Sequence, residues 1–328
     1  MNFLFGPVNS RRLGRSLGID LLPEKICNFD CIYCEVGPTT KLTCSCREWV
    51  PTAEIIAEID EYLASEERCS RVDVFTITAG GEPTLHSGIG EIIAYLKKRT
   101  GKPVVVLTNG TTLHLKAVRR DLCQADIVIP SLDTVMPASL RKLNRPASCF
   151  NLEEAVEGLV TFSHEFSGRL WLEILIARDI NDTEEEVLAL REVIKRMRID
   201  RVQLNTVVRP PLLSYARPVS GQRLLAFAQL LSWEGGPLVE VIADVPKADD
   251  TTAKQDTKED TKGTLRTPQE IRQEVLTMLK RRPCTEEDIR KTLGPGVEDG
   301  LKALLDTMIK AKQIKKERHA QREFYRIV

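Results

Sequence analysis

From Leu17 to about Leu230, short apolar runs rich in β-branched residues alternate with longer stretches whose apolar positions recur at helical spacing. This alternation predicts repeated βα units around a parallel sheet, because a strand reaches its parallel neighbour through a crossover helix. The strand candidates are Leu17–Leu22, Val72–Ile77, Pro103–Thr108, Asp126–Ser131, Leu170–Ile176 and Arg201–Val207. Helices are predicted over Thr52–Ser65, Gly88–Lys98, Leu113–Cys123, Asn151–His164, Thr183–Arg196 and Gly221–Leu231. Thr52 and Thr183 stand where N-cap hydroxyls belong, each ahead of acidic residues that suit the helix dipole. Six units are too few for an eight-unit barrel, so the predicted fold is α/β, a partial (β/α)6 barrel. A Rossmann-like open sheet is the alternative, since strand order is not written in the pattern.

The stretch Pro246–Gly263 lacks apolar periodicity and interleaves Lys with Asp, Glu and Thr. Such a composition cannot offset its ordering entropy by burial. Residues 246–266 are therefore predicted to be a flexible charged linker between a domain of residues 1–245 and a small domain of residues 267–328. The small domain predicts helices over Pro268–Lys280, Thr285–Leu293 and Val297–Lys310, with a Gly294-Pro295-Gly296 turn. Short strands come next, around Gln313–Lys316 and Glu323–Val328, an order that suggests a winged helix-turn-helix.

Composition narrows the class. A chain of 328 residues, 42% hydrophobic, is long enough to bury a full core. Lys+Arg and Asp+Glu both number 47, so any contact with nucleic acid must come from a local patch. No apolar run approaches the roughly 18 residues of a membrane span. The N-terminus lacks a signal peptide's order of charge, apolar stretch and cleavage site, and a cytoplasmic protein without membrane partners is expected. Of nine cysteines, three fall within eight residues, a distribution that predicts metal binding in a reducing compartment rather than a disulfide framework.

Those three form Cys27-Asn-Phe-Asp-Cys31-Ile-Tyr-Cys34, just after the first predicted strand. Three thiolates can ligate three irons of a 4Fe-4S cube and leave the fourth open, whereas an electron-transfer cluster normally uses four cysteines. An open iron can chelate the amino and carboxylate groups of S-adenosylmethionine (SAM) beside a reduced cluster. Electron transfer then cleaves a carbon–sulfur bond to give a 5′-deoxyadenosyl radical, which takes hydrogen from unactivated carbon. The spacing alone also suits part of a zinc site, which wants four N or S ligands, and Cys44 and Cys46 are available to supply more.

With Tyr33 before the last cysteine and Gly80-Gly81-Glu82-Pro83 after the second predicted strand, the region Leu17–Leu231 resembles the radical SAM superfamily. The resemblance implies an oxidoreductase-type radical enzyme with a 4Fe-4S cluster on Cys27, Cys31 and Cys34, SAM as cofactor, and an external electron donor. It also implies that the Gly80–Glu82 backbone accepts the amino group of SAM, glycines letting the main chain come close. Asn109, Ser131, Asp133, Arg178 and Asn181 follow strand ends on the same face, where α/β sheets place their ligands, and Asn205 lies in the last predicted strand. The resemblance sets such positions against ribose, carboxylate and adenine. Taken singly, Asn109, Ser131 and Asp133 suit capping or turns equally well, and Glu173 suits a core-facing acid with a structural partner.

The run from Phe5 to Asp20, FGPVNSRRLGRSLGID, with Cys34-Glu-Val-Gly-Pro-Thr39, resembles small radical proteins akin to wyosine-forming tRNA enzymes. The similarity is closer to bacterial and archaeal members of unassigned substrate. Wyosine synthases carry a second cluster on upstream cysteines, and the 26 residues before Cys27 hold none. Cys44 and Cys46 suit either an auxiliary cluster completed by Cys69, Cys123, Cys149 or Cys284, or a loop thiol pair with no ligand role. Arg11, Arg12 and Arg15 form one basic group and Arg141, Lys142 and Arg145 another, each suited to an anionic substrate or to a solvated loop.

In the C-terminal module Val297, Leu301, Leu304, Leu305, Met308 and Ile309 mark a core face. Lys310, Lys312, Lys315, Lys316, Arg318, His319, Arg322 and Arg326 stand against only Glu317 and Glu323, a balance that suits phosphate contact. Glu298, Asp299 and Asp306 on the preceding helix weaken insertion into a major groove, and docking of a protein or dimerisation fits as well. Three functions of different class fit these features: a radical SAM enzyme acting on a macromolecule, RNA or peptide; an iron-sulfur-dependent nucleic-acid-binding regulator without SAM cleavage; and a zinc-stabilised binding protein.

Overall fold

The structure, a computed structural model, describes residues 2–10, 12–78, 80–243, 267–294, 297 and 300–328. The predicted linker, Arg11, Pro295, Gly296, Glu298 and Asp299 lie outside the described residues. The chain divides into two compact units, Met1–Val207 with Pro211–Ala243, and Val208–Pro210 with Asp244–Val328.

The first unit opens with β1 (Leu4–Ser10), β2 (Gly14–Asp20) and two very short strands, β3 (Ile26–Cys27) and β4 (Lys41–Leu42). Next come α1 (Thr52–Leu63), α2 (Glu66–Ser70), β5 (Val74–Thr78), α3 (Ile89–Thr100), β6 (Val104–Thr108), α4 (Lys116–Leu122), β7 (Ile127–Pro130), α5 (Pro137–Leu143) and α6 (Leu152–Glu165). The unit ends with β8 (Arg169–Ile176), α7 (Glu184–Ile194), β9 (Arg201–Thr206), α8 (Gly221–Leu231) and β10 (Leu238–Val241). Eight strands form one sheet in the order β1-β2-β5-β6-β7-β8-β9-β10. Only the β1–β2 hairpin is antiparallel. The α/β architecture with a parallel-dominated sheet is the one predicted, and each of the six predicted strands and six predicted helices of this region has its counterpart within a few residues.

Two edge strands are additional. Gly6-Pro7 and the polar Asn9 and Ser10 hide β1 from any apolar alternation, and β10 has only four residues. One expected cap is also corrected. Thr52 is the first helical residue of α1 and Pro51 its N-cap. The Thr52 amide and hydroxyl donate to Glu48 Oε1 at 2.8 and 2.7 Å, so the carboxylate of Glu48 serves the free end of the helix. Thr183 caps α7 as expected, accepting from the Glu186 amide at 3.3 Å.

Along the strands Leu17, Ile19, Phe75, Ile77, Val106, Val128, Leu172, Ile174, Val202 and Leu204 are fully buried, alternating with residues on the other face. The helices bury Ile55, Ile59, Ile92, Ile93, Leu190 and Phe227, which makes helix-on-sheet packing the main core. The second face carries a smaller cluster of Val74, Val105, Ile127, Ile129 and Trp171, against which Leu13 and Leu107 pack. Leu13 lies in the β1–β2 turn and Trp171 in β8, four strands further along the sheet. Arg12, in the same turn, donates to Glu173 of β8 and Gln203 of β9, a contact that requires the sheet to curl on itself.

The second unit contains α9 (Pro268–Arg281), α10 (Glu286–Leu293), α11 (Leu301–Lys310) and a hairpin of β11 (Ile314–His319) and β12 (Arg322–Ile327). Val275, Leu279, Ile289, Leu301, Leu305 and Met308 bury against Ile314 and Tyr325. Ala320 and Gln321 both take positive φ, the backbone demanded by a tight two-residue hairpin. Thr267 with Glu270, and Thr285 with Asp288, form complete capping boxes at the starts of α9 and α10. Among the described residues no helix is long and apolar enough to cross a membrane.

Thr267→Ala and Thr285→Ala are each expected to cost about 1 kcal/mol, read as a lower urea midpoint of the full chain by circular dichroism.

Candidate active site

The site is built from the segments just beyond the C-terminal ends of neighbouring parallel strands. Asp20, the last residue of β2, is buried and accepts from the amides of Leu22 (3.1 Å) and Gly80 (3.2 Å). It thereby ties the segment after β5 to the one leading into the cysteine loop. A Cβ on Gly81 would stand 1.8 Å from the carbonyl oxygen of Ile26, and the Glu82 amide donates to that same oxygen at 2.9 Å. Main chain lies directly on main chain one residue before Cys27, so only glycine fits. At Gly80 the nearest atoms to such a Cβ are 3.7 Å away. The constraint at Gly81 is therefore internal to the fold, while Gly80 has room beside its backbone.

Glu82 is 2% exposed. Its Oε1 accepts from Thr84 N (3.0 Å), Thr84 Oγ1 (2.5 Å) and Thr108 Oγ1 (2.7 Å), and its Oε2 from Asn109 N (2.6 Å). Burial pushes this carboxyl up from its ordinary range, and the donors pull it back. All its partners are donors, so the side chain works as an acceptor hub joining the ends of β5 and β6.

Cys27 ends β3, and Cys31 and Cys34 follow on the loop after it. Phe29 N donates to Cys27 Sγ at 3.4 Å, Asn109 Nδ2 to Cys27 Sγ at 3.7 Å, and Asn144 Nδ2 to Cys31 Sγ at 3.4 Å. Burial pushes the Cys27 thiol up to about 12, aided by the charge of Glu82. Cys31 is driven up by burial and then by the charges of Cys27 and Cys34. The loop is pinned by the chain after α5: Asp30 N donates to Asn144 O (2.9 Å), Ile32 N to Leu143 O (2.9 Å) and Ala147 N to Asn28 O (2.9 Å). Arg145, held at φ 46°, donates from Nε to Asp30 O at 2.7 Å and pairs with the Asp30 carboxylate.

Beside this loop is a cavity whose polar lining includes Tyr33, Asn109, Ser131, Asp133 and Asn144, with Phe29, Leu140, Phe150 and Leu159 among its apolar walls. Tyr33 Oη and Asn144 Nδ2 (2.8 Å) donate to Asp133 Oδ2, and Leu175 N to Asp133 Oδ1 (3.0 Å). Burial raises the Asp133 carboxyl, and burial and then the charge of Asp133 raise the Tyr33 phenol. Asn144 Oδ1 is buried with no hydrogen-bond partner among the described residues. The residues expected at the site thus divide. Tyr33, Asn109, Ser131 and Asp133 line one cavity, with the backbone of Gly80–Glu82 bound to the neighbouring loop. Arg178 is exposed and does not line that cavity; it lies in the turn after β8, its amide donating to Arg217 O at 2.9 Å. Asn205 donates to Glu173 Oε1 at 3.1 Å instead, and Asn181 is fully buried in local backbone contacts.

Sequence reasoning missed Asp20, Asn28 and Asn144. Asn28 accepts from Asn109 Nδ2 at 2.8 Å and donates to Thr111 Oγ1. Its signal was a polar side chain inside the cysteine motif; Asn144, far along the chain, offered none. The cysteines outside the motif also depart from expectation. Cys44 and Cys149 form a disulfide with Cα atoms 6.2 Å apart, while Cys46, Cys69, Cys123 and Cys284 are free. Cys44 and Cys149 come together because both neighbouring segments bind the cysteine loop, Thr43 N on Cys27 O and Ala147 N on Asn28 O. The auxiliary-cluster expectation is corrected for these two. In the basic groups, Arg15 pairs with Asp73 (2.8 Å), Arg145 with Asp30 and Arg12 with Glu173 (2.8 Å).

The first unit is thus an α/β fold, a curled and mostly parallel sheet with three thiols gathered beyond its second strand. The chain belongs to the radical SAM superfamily, which matches it over residues 22–204. Enzymes of this class use a 4Fe-4S cluster and SAM, which are the cofactors of this one, and they need an electron donor. Among relatives, the chain is 31% identical to a UPF0026 protein of Helicobacter pylori J99, over 98% of this chain and 96% of that one. It is 32% identical to a protein named GTPase Obg from Brachyspira hyodysenteriae, over 96% of this chain but only 43% of that protein's length. A radical SAM methyltransferase from Sphaerobacter thermophilus shares the fold with a TM-score of 0.54 at 17% identity, over 70% of this chain and 66% of that one.

Gly81→Ala is expected to destabilise the protein by about 3 kcal/mol or more through the backbone clash, whereas Gly80→Ala should leave the thermal midpoint within a few degrees.

Proposed function

We propose that the protein reductively cleaves SAM at a cluster held by Cys27, Cys31 and Cys34 and uses the radical to take hydrogen from a macromolecular substrate, RNA or peptide. The observation that carries this reading is the environment of the three thiols. Cys27 is buried and Cys31 half-buried, and burial together with nearby and mutual charge opposes their ionisation, an arrangement that a cationic cluster relieves. Three amide N–H groups already point at their sulfurs, the kind of contact that tunes a cluster's potential. Three thiols at one loop suit a cube, whose thiolates bind separate irons and leave one iron open, better than zinc, which wants four N or S ligands.

When bound, the reduced cluster supplies the electron that splits SAM into methionine and a 5′-deoxyadenosyl radical. In this reading the carbonyls of Gly80–Glu82 receive the amino group of SAM. Asn109, Ser131, Asp133 and Tyr33 bind its ribose, carboxylate and adenine, and the apolar walls exclude water. Arg178 and Asn205 have no part in that cavity.

The second unit is read as a winged helix-turn-helix that docks nucleic acid. Its order of three helices and a hairpin supports this, as do exposed Lys315, Lys316, Arg318 and Arg322 on the strands.

Anaerobic reconstitution and reduction with SAM should yield 5′-deoxyadenosine from the wild type and none from the Cys27/Cys31/Cys34→Ala protein. A fully clustered wild type that releases none would support the regulator instead, and a colourless zinc-loaded protein the binding-protein reading. In fluorescence anisotropy with single-stranded RNA, Lys315→Glu/Arg318→Glu should weaken binding about tenfold or more and flatten its salt dependence; unchanged affinity would rule out the hairpin.

A further inference from the structure

The curled sheet carries a second polar site that the cysteine loop does not use. Glu173 of β8, Gln203 of β9 and Glu240 of β10 are direct neighbours in the strand register, so their side chains share one face of the sheet. Glu173 also bridges Ser131, which lines the cavity described above. Arg12, from the β1–β2 turn at the far edge of the sheet, reaches this row. Its Nη1 donates both to Glu173 Oε2 at 2.8 Å and to Gln203 Oε1 at 2.5 Å.

The other side chains of the row are engaged with one another. Glu173 Oε1 accepts from Asn205 Nδ2 at 3.1 Å, Gln203 Nε2 donates to Glu240 Oε1 at 2.6 Å, and Arg201 pairs with Glu240 at 3.5 Å. Arg12 is held at one end only. One nitrogen serves two acceptors, and its Nε and Nη2 meet no partner among the described residues. A guanidinium serving only as a latch would gain most by presenting two nitrogens to Glu173 in a fork. Here the forked edge is spared. The side chain is 24% exposed, so it is partly open to solvent while the two acceptors on Nη1 fix its direction.

We propose that Arg12 is a substrate-recognition residue whose Nε–Nη2 edge binds an oxyanion, a carboxylate or phosphate carried by the substrate, with Glu173 and Gln203 as its positioning residues. Two parallel N–H donors match two oxygens of either group. The row is otherwise charge-paired, so recognition comes from the direction of the donors, not from a net positive field. This rests on the reading of the first unit as a radical SAM enzyme and deepens it, since it states what the substrate must carry.

The test uses reconstituted full-length protein, unreduced, titrated calorimetrically at low salt with inorganic phosphate and separately with acetate. The wild type should bind at least one probe. Arg12→Gln and Arg12→Lys should weaken that binding about tenfold or more, lysine keeping the charge but losing the fork. Glu173→Gln, which keeps an acceptor for Nη1 and removes a competing charge, should bind as tightly as the wild type or tighter. Preference for phosphate assigns a phosphate-bearing substrate, and preference for acetate a carboxylate-bearing one. Absence of binding to both probes, or equal affinity in folded Arg12→Lys, overturns the proposal. Because this readout needs no radical chemistry, oxyanion binding through Arg12 without 5′-deoxyadenosine release would sink the proposed function alone. Release with affinities insensitive to Arg12 would sink the subsite alone.

Discussion

Two stretches of main chain meet where Gly81 and Glu82 lie against the carbonyl of Ile26, and the geometry around the cysteine loop depends on that meeting. The contact is possible only without a side chain at residue 81. Once made, it sets the end of β5 beside Cys27 and carries the Glu82 side chain into the interior. A buried carboxylate is costly unless its oxygens are satisfied. Thr84, Thr108 and Asn109 satisfy them, and in doing so they lock the end of β6 to the end of β5. Asp20 repeats the device one strand earlier, on a smaller scale.

The cysteine loop is therefore a rigid feature. On one side the strand ends hold it through Asn109 and Asn28. On the other the chain after α5 runs along it in backbone hydrogen bonds, with the Arg145–Asp30 pair and the Cys44–Cys149 disulfide flanking that contact. Asn144 belongs to both arrangements: its amide nitrogen serves Cys31 and Asp133, while its oxygen is left without a partner. An unpaired buried acceptor beside a cavity lined by polar side chains is an energetic cost that a bound ligand donor would remove.

Curling of the sheet shapes the other side of the molecule's interior. Leu13 and Trp171 come from distant strands yet share one apolar cluster, and above it Arg12 crosses to Glu173 and Gln203. The inner face thus carries an apolar floor, a charged and amide-bearing row, and a cavity under the cysteine loop. Radical chemistry on a substrate needs such an enclosed approach, because a radical exposed to water or to unselected carbon is lost to side reactions.

Much of this was legible beforehand, for local reasons. Apolar alternation marked the six central strands, since side-chain period follows from backbone geometry alone. Spacing marked Cys27, Cys31 and Cys34 as one group because a short loop brings its own residues together. Gly80-Gly81-Glu82 was visible as a motif, but its reason was not: the clash at Gly81 involves Ile26, some fifty-five residues earlier. The edge strand β1, the Glu48 cap of α1, Asn144 at Cys31, and the partnership of Cys44 with Cys149 all rest on contacts between segments far apart in the chain. So does the fate of the arginines, of which Arg15 and Arg145 are forked or paired on acids while Arg12 keeps one edge open. By itself, then, the sequence determined the six central strands, the helices between them and the cysteine and Gly-Gly-Glu motifs. Only the tertiary structure decided which of those residues face one another, because pairing between distant segments depends on how the sheet curls and not on any local pattern.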